Sequence, residues 1–395
     1  MPVSRSSTAT RRAGVAERPP PSVLLAVEQL RRQVPGGIGA YARGLLAGLT
    51  ERAREGDPVD VTLLASRAPG GRRADDPLAA FGKPIIASWL PGPLLTRAWD
   101  HGLLHAPPGF DVVHSVSPAA PTLRRSSRSR LVVTVHDLAW RRHPEATTAR
   151  GRRWHEFALV RASEGEAALV VPSRLVAADV AAFGVDPGRI TVVQGGCDHL
   201  PEPDPAAAAE LLARLGVHGE FLLTVGTLEP RKNVDRLVRA FRRVRPSLPG
   251  PWPLVIVGPA GWGPEPTTRH DTDGIVFTES VTGPVLAELY GRARAFAYVP
   301  LTEGYGLPPL EAMRVGTPSV VSDEVPSVHD LGEEGPAPAR IVDPLDIDDI
   351  AAGLAAVLTD DALRAELTAR GSAHASTRTW GTAAREHIAL WRSLR

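Results

Sequence analysis

The sequence predicts an α/β protein made of two doubly wound parallel sheets. Along the 395 residues, short aliphatic and β-branched runs alternate with amphipathic stretches, the pattern of parallel strands joined by crossover helices. This series occurs twice, and Pro201-Glu202-Pro203-Asp204-Pro205 separates the two copies. Alternating prolines withdraw amide donors and hold the backbone extended, so this segment reads as a boundary.

Residues 1–21 read as a disordered tail: Arg11-Arg12 stands where an export signal would begin, but Glu17, Arg18 and three prolines follow in place of an apolar core. In the first domain, residues 22–200, strands are expected at 23–27, 59–64, 112–115, 131–135, 168–171 and 190–193. After the first of them, Pro35-Gly36-Gly37-Ile38-Gly39 forms a turn that opens a helix over about 40–53. Linker and short helix fill 201–218, with the helix at 206–215. The second domain, residues 219–375, has strands expected at 221–225, 254–257, 275–277, 295–299 and 319–321. Helices at 347–358, 361–369 and 383–394 close the chain, and there is no solenoid repeat.

Composition narrows the function. Forty-five basic against 44 acidic residues leave a net charge of +1, and aromatic residues are only 5% of the chain, which argues against nucleic acid as a partner. The single cysteine, Cys197, excludes a disulfide framework and fits a reducing, cytoplasmic setting. No apolar run approaches a membrane span; the longest, 167–185, is broken by Arg174 and Asp179. Arginines 124, 125, 128 and 130 could touch an anionic membrane face peripherally or form a solvated loop. Only Lys83 and Lys232 are lysines, against 43 arginines, so the place of each carries information.

Ligands of open parallel sheets bind beyond the carboxyl ends of the strands. There, Gly226-Thr227-Leu228-Glu229-Pro230-Arg231-Lys232-Asn233 joins a strand to a helix whose apolar stripe is Val234, Leu237, Val238, Phe241 and Val244. With Asn233 as N-cap, free amides, the positive end of the helix and Lys232 make a phosphate site, with Arg231 beside it. A lysine 4 Å from a phosphate oxygen contributes about 4 kcal/mol at an effective dielectric of 20. The helix dipole contributes about 0.3–1 kcal/mol, so Lys232 dominates.

Glu303-Gly304-Tyr305-Gly306-Leu307-Pro308-Pro309-Leu310-Glu311 follows a later strand and enters a helix of two turns, with Glu303 in the loop and Glu311 in the first turn. Carboxylates accept paired hydroxyls of sugars and ribose, and glycines 304 and 306 let a ligand approach the backbone. In the first domain, amides of Gly36, Gly37 and Gly39 can face a diphosphate, and His136 leaves a strand end toward the same cleft. The glycines lack dinucleotide and Walker spacing. Asp271-Thr272-Asp273 and Asp346-Ile347-Asp348 are weak metal patterns, His101, His105 and His114 have no zinc spacing, and Ser115, Ser117 and Ser173 have no nucleophile elbow. No metal or other cofactor is expected.

Together, Lys232, the Glu303-x7-Glu311 pair, Gly36–Gly39 and His136 make residues 23–395 resemble the retaining glycosyltransferases of family 4, with the GT-B fold of two facing Rossmann-like domains. The resemblance implies that Glu311 binds the nucleotide ribose and that Glu303, with the backbone of Gly304, Tyr305, Gly306 and Leu307, meets the donor sugar near His136. Arg231, Lys232 and amides near Gly37 would hold the diphosphate, stabilising its departure without a metal. The terminal helix 376–395, opened by Trp380, would cross back onto the first domain. The stretches Thr227–Asn233 and Gly36–Tyr41 resemble bacterial enzymes that use GDP-mannose; a UDP-sugar donor is the alternative. The implied partners are a nucleotide diphosphate sugar and a glycan or lipid-linked acceptor, whose specificity would lie in loops 65–76 and 90–108. Thr227 stands where many relatives carry arginine, His329-Asp330 where they carry Pro-Glu, and Val176 where serine is frequent. A GT-B epimerase lacks the carboxylates for ring-proton abstraction, and a non-catalytic sugar-nucleotide sensor has no use for the full set of residues.

Overall fold

A computed structural model describes residues 19–32, 36–68, 76–261, 273–332 and 334–395. The tail up to residue 18, Pro35 of the Gly-rich turn, residues 69–75 of the first acceptor loop, and Asp271-Thr272 lie outside the described residues.

The chain folds into two parallel sheets with helices on both faces. The first contains β1 (Ser22–Ala26), β2 (Asp60–Ala65), β3 (Ile85–Ala87), β4 (Val112–Ser115), β5 (Arg130–Thr134), β6 (Ala168–Val171) and β7 (Ile190–Val192), in the order β3-β2-β1-β4-β5-β6-β7. Its helices are α1 (Gly36–Arg54), α2 (Gly92–Asp100), α3 (Ala139–Arg142), α4 (Ala149–Glu164) and α5 (Arg174–Ala182). The second sheet contains β8 (Leu222–Val225), β9 (Leu254–Val257), β10 (Ile275–Phe277), β11 (Ala295–Tyr298), β12 (Ser319–Ser322) and β13 (Arg340–Val342), ordered β10-β9-β8-β11-β12-β13. It is flanked by α6 (Pro205–Arg214), α7 (Val234–Val244), α8 (Gly283–Arg292), α9 (Leu307–Arg314), α10 (Ile347–Thr359) and α11 (Asp361–Ser376); α12 (Trp380–Ser393) follows. All strand pairs are parallel. In each sheet the order reverses beside the first strand, β1 or β8, where a crevice opens at the strand ends.

Three expectations are corrected. Gly36, Gly37 and Gly39 form the first turn of α1 rather than a turn before it, with only Gly36 at positive φ (+60°). The loop expected at 90–108 carries α2, and β3 and β13 add an edge strand to each sheet. The edge strands are three residues long, too short to show periodicity against their polar flanks.

Helix α12 lies along α1. Gly44 and Gly48 make this possible: a Cβ on Gly44 would fall 2.0 Å from the Trp380 ring, and one on Gly48 2.1 Å from its carbonyl. Trp380, Ala383, Ala384, Ile388 and Trp391 thereby join the core of the first sheet with Tyr41, Leu45 and Leu49. The chain crosses between the sheets twice at one place, where Cys197 N–H donates to Arg378 O at 3.0 Å and Trp380 N–H to Asp198 at 2.8 Å.

Candidate functional site

The segment after β8 makes a short 3-10 turn, Pro230–Lys232, before α7. Asn233 follows in the left-handed region (φ 59°), which asparagine tolerates better than most residues. It does not cap α7 with its side chain; its amide instead donates to Val299 O at 2.9 Å and Pro344 O at 2.8 Å. The correction has a physical reason: those carbonyls tie the turn to the loops after β11 and β13. Leu301 N–H also donates to Arg231 O, at 2.9 Å. Arg231 and Lys232 are thereby held against Glu303.

Glu303 is the centre of a buried charge cluster. Its Oε1 accepts from Arg231 Nη1 at 2.8 Å, from Tyr298 Oη at 2.8 Å and from Lys232 Nζ. Lys232 also donates to Tyr298 Oη at 2.7 Å, and Arg231 Nη2 pairs with Glu229 at 2.6 Å. Burial opposes ionisation of Glu303, but the adjacent Arg231 and Lys232 charges outweigh it and hold the carboxyl at about 2. Burial lowers Lys232 below the ordinary amine range against the pull of Glu303, and burial with Glu303 raises Tyr298 well above the usual phenol range. Glu303 is therefore an acceptor for hydroxyls at neutral pH, with no proton to give, and Tyr298 remains a donor. Two cations and two carboxylates leave the cluster neutral.

This cluster forms one wall of an interdomain cleft of about 580 Å³. The opposite wall holds Gly37 and Ile38 at the start of α1, with Tyr41, His136 and Asp137. The first N–H groups of α1 have no intrahelical partner. A side chain on Gly36 or Gly37 would meet nothing within 4 Å, so these glycines leave ligand space rather than relieve packing. His136 Nε2–H donates to Val116 O at 2.8 Å, which leaves Nδ1 as an acceptor. Burial pushes its pKa down, with the Val116 bond opposing, so the ring is neutral at pH 7. At the floor the domains touch: a Cβ on Gly304 would fall 1.7 Å from His136 O, and Ser173 Oγ donates to Gly304 O at 2.7 Å. Asp330 accepts from Arg174 N–H at 2.8 Å and Leu175 N–H at 3.1 Å, capping α5 from the other domain.

Most of the predicted site residues therefore converge on one cleft: Gly37, His136, Arg231, Lys232 and Glu303 through Leu307. Gly36, Gly39 and Glu311 lie off its lining, and Glu311 falls in the second turn of α9. The Glu311 carboxylate accepts from Tyr290 Oη at 2.7 Å and lies 3.2 Å from His199 Nε2. Trp380 Nε1–H donates to His199 Nδ1 at 3.1 Å, which places the His199 proton on Nε2, facing Glu311. A second ordered run starts at Trp391 Nε1–H, which donates to His114 Nδ1 at 3.2 Å. His114 Nε2–H then meets Thr134 Oγ1 at 2.9 Å, and Thr134 lies 3.4 Å from Tyr41 Oη. Tyr41 donates to His387 Nε2 at 2.8 Å, because His387 Nδ1–H is given to Ala383 O. Tyr41 stands edge-on to His136 at 4.9 Å, so this run ends at the cleft.

Tyr298 and His199 were not singled out from the sequence, and Tyr41 and Glu229 were read only as members of the stretches 36–41 and 226–233, with no role of their own. A signal was available: the chain has four tyrosines, and each hydroxyl bonds within or behind this site, Tyr305 to Gly195 O at 2.9 Å. Among the described residues no three His, Cys, Asp or Glu side chains are grouped to hold a metal. Asp346 caps α10, and Asp273 pairs with Arg245. No helix among the described residues is long and apolar enough to cross a membrane.

Two facing Rossmann-like domains with an interdomain cleft define the GT-B class. Residues 35–199 match the model for Glycosyltransferase Family 4 and residues 215–374 that for Glycosyl transferases group 1. The chain is 30% identical over 352 residues to D-inositol 3-phosphate glycosyltransferase of Mycobacteroides abscessus, covering 79% of this chain and 76% of that protein. It is 29% identical over 274 residues to O-antigen chain mannosyltransferase B of Escherichia coli, covering 67% and 71%. The structure of Anabaena HepE in complex with UDP and glucose superposes with a TM-score of 0.67 at 17% identity, over 94% of this chain and 100% of that one. The chain belongs to the nucleotide-sugar-dependent glycosyltransferases of the GT-B fold.

Proposed function

We propose that this enzyme moves a hexosyl group from a UDP-sugar to a hydroxyl acceptor in glycan or glycolipid synthesis, with retention of anomeric configuration. The carrying observation is the convergence of Lys232 and Arg231 on Glu303, opposite the open N-terminus of α1. The donor diphosphate lies between them, taking hydrogen bonds from Lys232, Arg231 and amides near Gly36, Gly37 and Gly39. Cations and amides fixed before the reaction stabilise charge developing on the departing diphosphate without reorganising. Glu303, ionised, accepts sugar hydroxyls, and the backbone N–H groups of Gly304–Leu307 at the start of α9 donate to them; His136 Nδ1 accepts another. Glu311 holds the ribose, its orientation set by His199 and Tyr290. With those two donors in place, its carboxylate keeps lone pairs for a ribose hydroxyl.

The UDP reading is supported by the likeness to HepE, whose structure contains UDP and glucose. A GDP-mannose donor is the second reading, favoured by the likeness to the O-antigen mannosyltransferase. A panel of UDP- and GDP-sugars, read by nucleoside diphosphate release in the presence of water alone, decides between them. Slow hydrolysis of one donor class supports transfer; binding without any hydrolysis would reduce the chain to a sensor. We assign it to the cytoplasm, with peripheral contact at a membrane face through Arg124, Arg125 and Arg128 as the part that vesicle sedimentation tests.

A further inference from the structure

A second cavity, of about 1170 Å³, opens in the first domain beside the donor cleft. The two flank the same turns of α4: Gly151 and His155 line the cleft, while Arg150 and Trp154 line this cavity. It lies just past the ends of β1 and β2, and its walls carry Arg31, Arg32, Arg67 and Arg97 as well as Arg150. Two carboxylates share the walls, Glu28 and Asp100. Glu28 accepts Ser66 N–H at 2.6 Å and Asp100 Oδ2 accepts Trp154 Nε1–H at 2.8 Å, while Asp100 Oδ1 is buried without a partner. With Asp76, which pairs with Arg31, five arginines stand against three acids among the described residues, a surplus of positive charge in contrast to the neutral cluster around Glu303.

Arg31 gives this surplus a direction. Its side chain is only 2% exposed and is tethered through Nη2 to Asp76, yet Nε and Nη1 are buried with no hydrogen-bond partner among the described residues. Buried N–H groups of a guanidinium are costly to leave unmatched. Arg32, Arg67, Arg97 and Arg150 form no ion pair among the described residues, although other arginines of the chain do. The first turn of α2 also lines the cavity, with the Glu28 carboxylate against Gly92 at its start. Forked guanidinium donors match the oxygens of a phosphate group.

We propose that this cavity binds the phosphate of a phosphorylated acceptor, and that the acceptor's hydroxyl end passes the start of α4 into the donor cleft. The inference rests on the glycosyl-transfer reading for its purpose but not for its first test. Calorimetric titration of the full chain with inorganic phosphate is expected to show a saturable site that does not depend on Lys232, with a Kd of about 1 mM or tighter. The double variant Arg97→Gln/Arg150→Gln, both exposed positions, should weaken it at least about tenfold, whereas Lys232→Ala should leave it intact. Absence of saturation in the wild type overturns the proposal. So does loss of binding in Lys232→Ala with retention in the double variant, which places the phosphate in the interdomain cleft. No sugar nucleotide is used, so an error in donor assignment does not alter this result.

With the donor found by the panel, glycerol 3-phosphate is compared with glycerol, and a 1-acylglycerol 3-phosphate with its monoacylglycerol, each of which keeps a free hydroxyl as acceptor. The phosphorylated member of at least one pair should accelerate nucleotide release about tenfold or more beyond its partner, and the pair that responds identifies a soluble or a lipid source. Equal acceleration by phosphorylated and unphosphorylated members overturns the acceptor role.

Discussion

Arg231, with 17% of its side chain exposed, and Arg31, with 2%, are both guanidinium groups beside cavities, but their surroundings differ. Arg231 has a carboxylate at each side, Glu229 and Glu303, and both are shared within a neutral cluster. Arg31 has a single tether, Asp76, and two unmatched nitrogens. The first arrangement is organised before any ligand arrives, and its electrostatics serve chemistry. The second leaves hydrogen-bonding capacity unused at a cost to the fold, the arrangement expected where a ligand completes the set.

The largest expected effect that separates them is Lys232→Ala, which should lower turnover about 100- to 1,000-fold by removing one donor to the leaving diphosphate. Turnover within about twofold of wild type would break the assignment of the cleft to phosphate. Next, Glu303→Gln should cost about 3 kcal/mol of stability, measured by urea denaturation, because it leaves Lys232 without a carboxylate and Arg231 with Glu229 alone. An unchanged midpoint would show that the cluster is not self-neutralising.

The pH dependence sharpens the contrast between the domains. His387, held at about 4 by burial, His114 and His136 all have lowered pKa values. Unfolding therefore takes up protons below the ordinary histidine value of 6.5, and stability falls as pH drops. For His387 the loss should reach about 2 kcal/mol by pH 5, read from urea midpoints. Glu303, held at about 2, contributes stability fully above about 4.5 and loses it only as pH falls from there toward 2. Acid should thus loosen the histidine-rich first domain before the cluster in the second; loss of both together near pH 4 would contradict this order.

The smallest effect belongs to Arg31→Met combined with Asp76→Asn. Removing both charges should leave stability within about 1 kcal/mol of wild type or slightly higher. The expected loss is in phosphate binding at the second cavity. A drop of several kcal/mol would mean that Arg31 is structural.

Strands with continuous aliphatic runs were legible to the residue, as at Ala168–Val171 and Leu254–Val257, because a parallel sheet buries both faces. The three-residue edge strands β3 and β13 were not, having too few positions for a pattern. Lys232 and Glu303 were legible because a rare lysine and a carboxylate stood at strand ends, where sheets bind ligands. Asn233 misled: its sequence position suits a cap, but the tertiary carbonyls of Val299 and Pro344 compete for its amide. Arg31 was invisible among 43 arginines, since only burial distinguishes it from a solvated one.

The packing of α12 on α1 makes the second domain, in topological terms, an insertion into the first. Tyr41 and its partner His387 are 346 positions apart, and the whole second sheet is synthesised between them. On the ribosome, the early half must keep the groove along Leu45 and Leu49 uncovered until Trp391 arrives, an interval in which chaperones or a neighbouring chain can occupy it. Exchange of this helix between two copies would fasten them together without altering a single contact inside either domain.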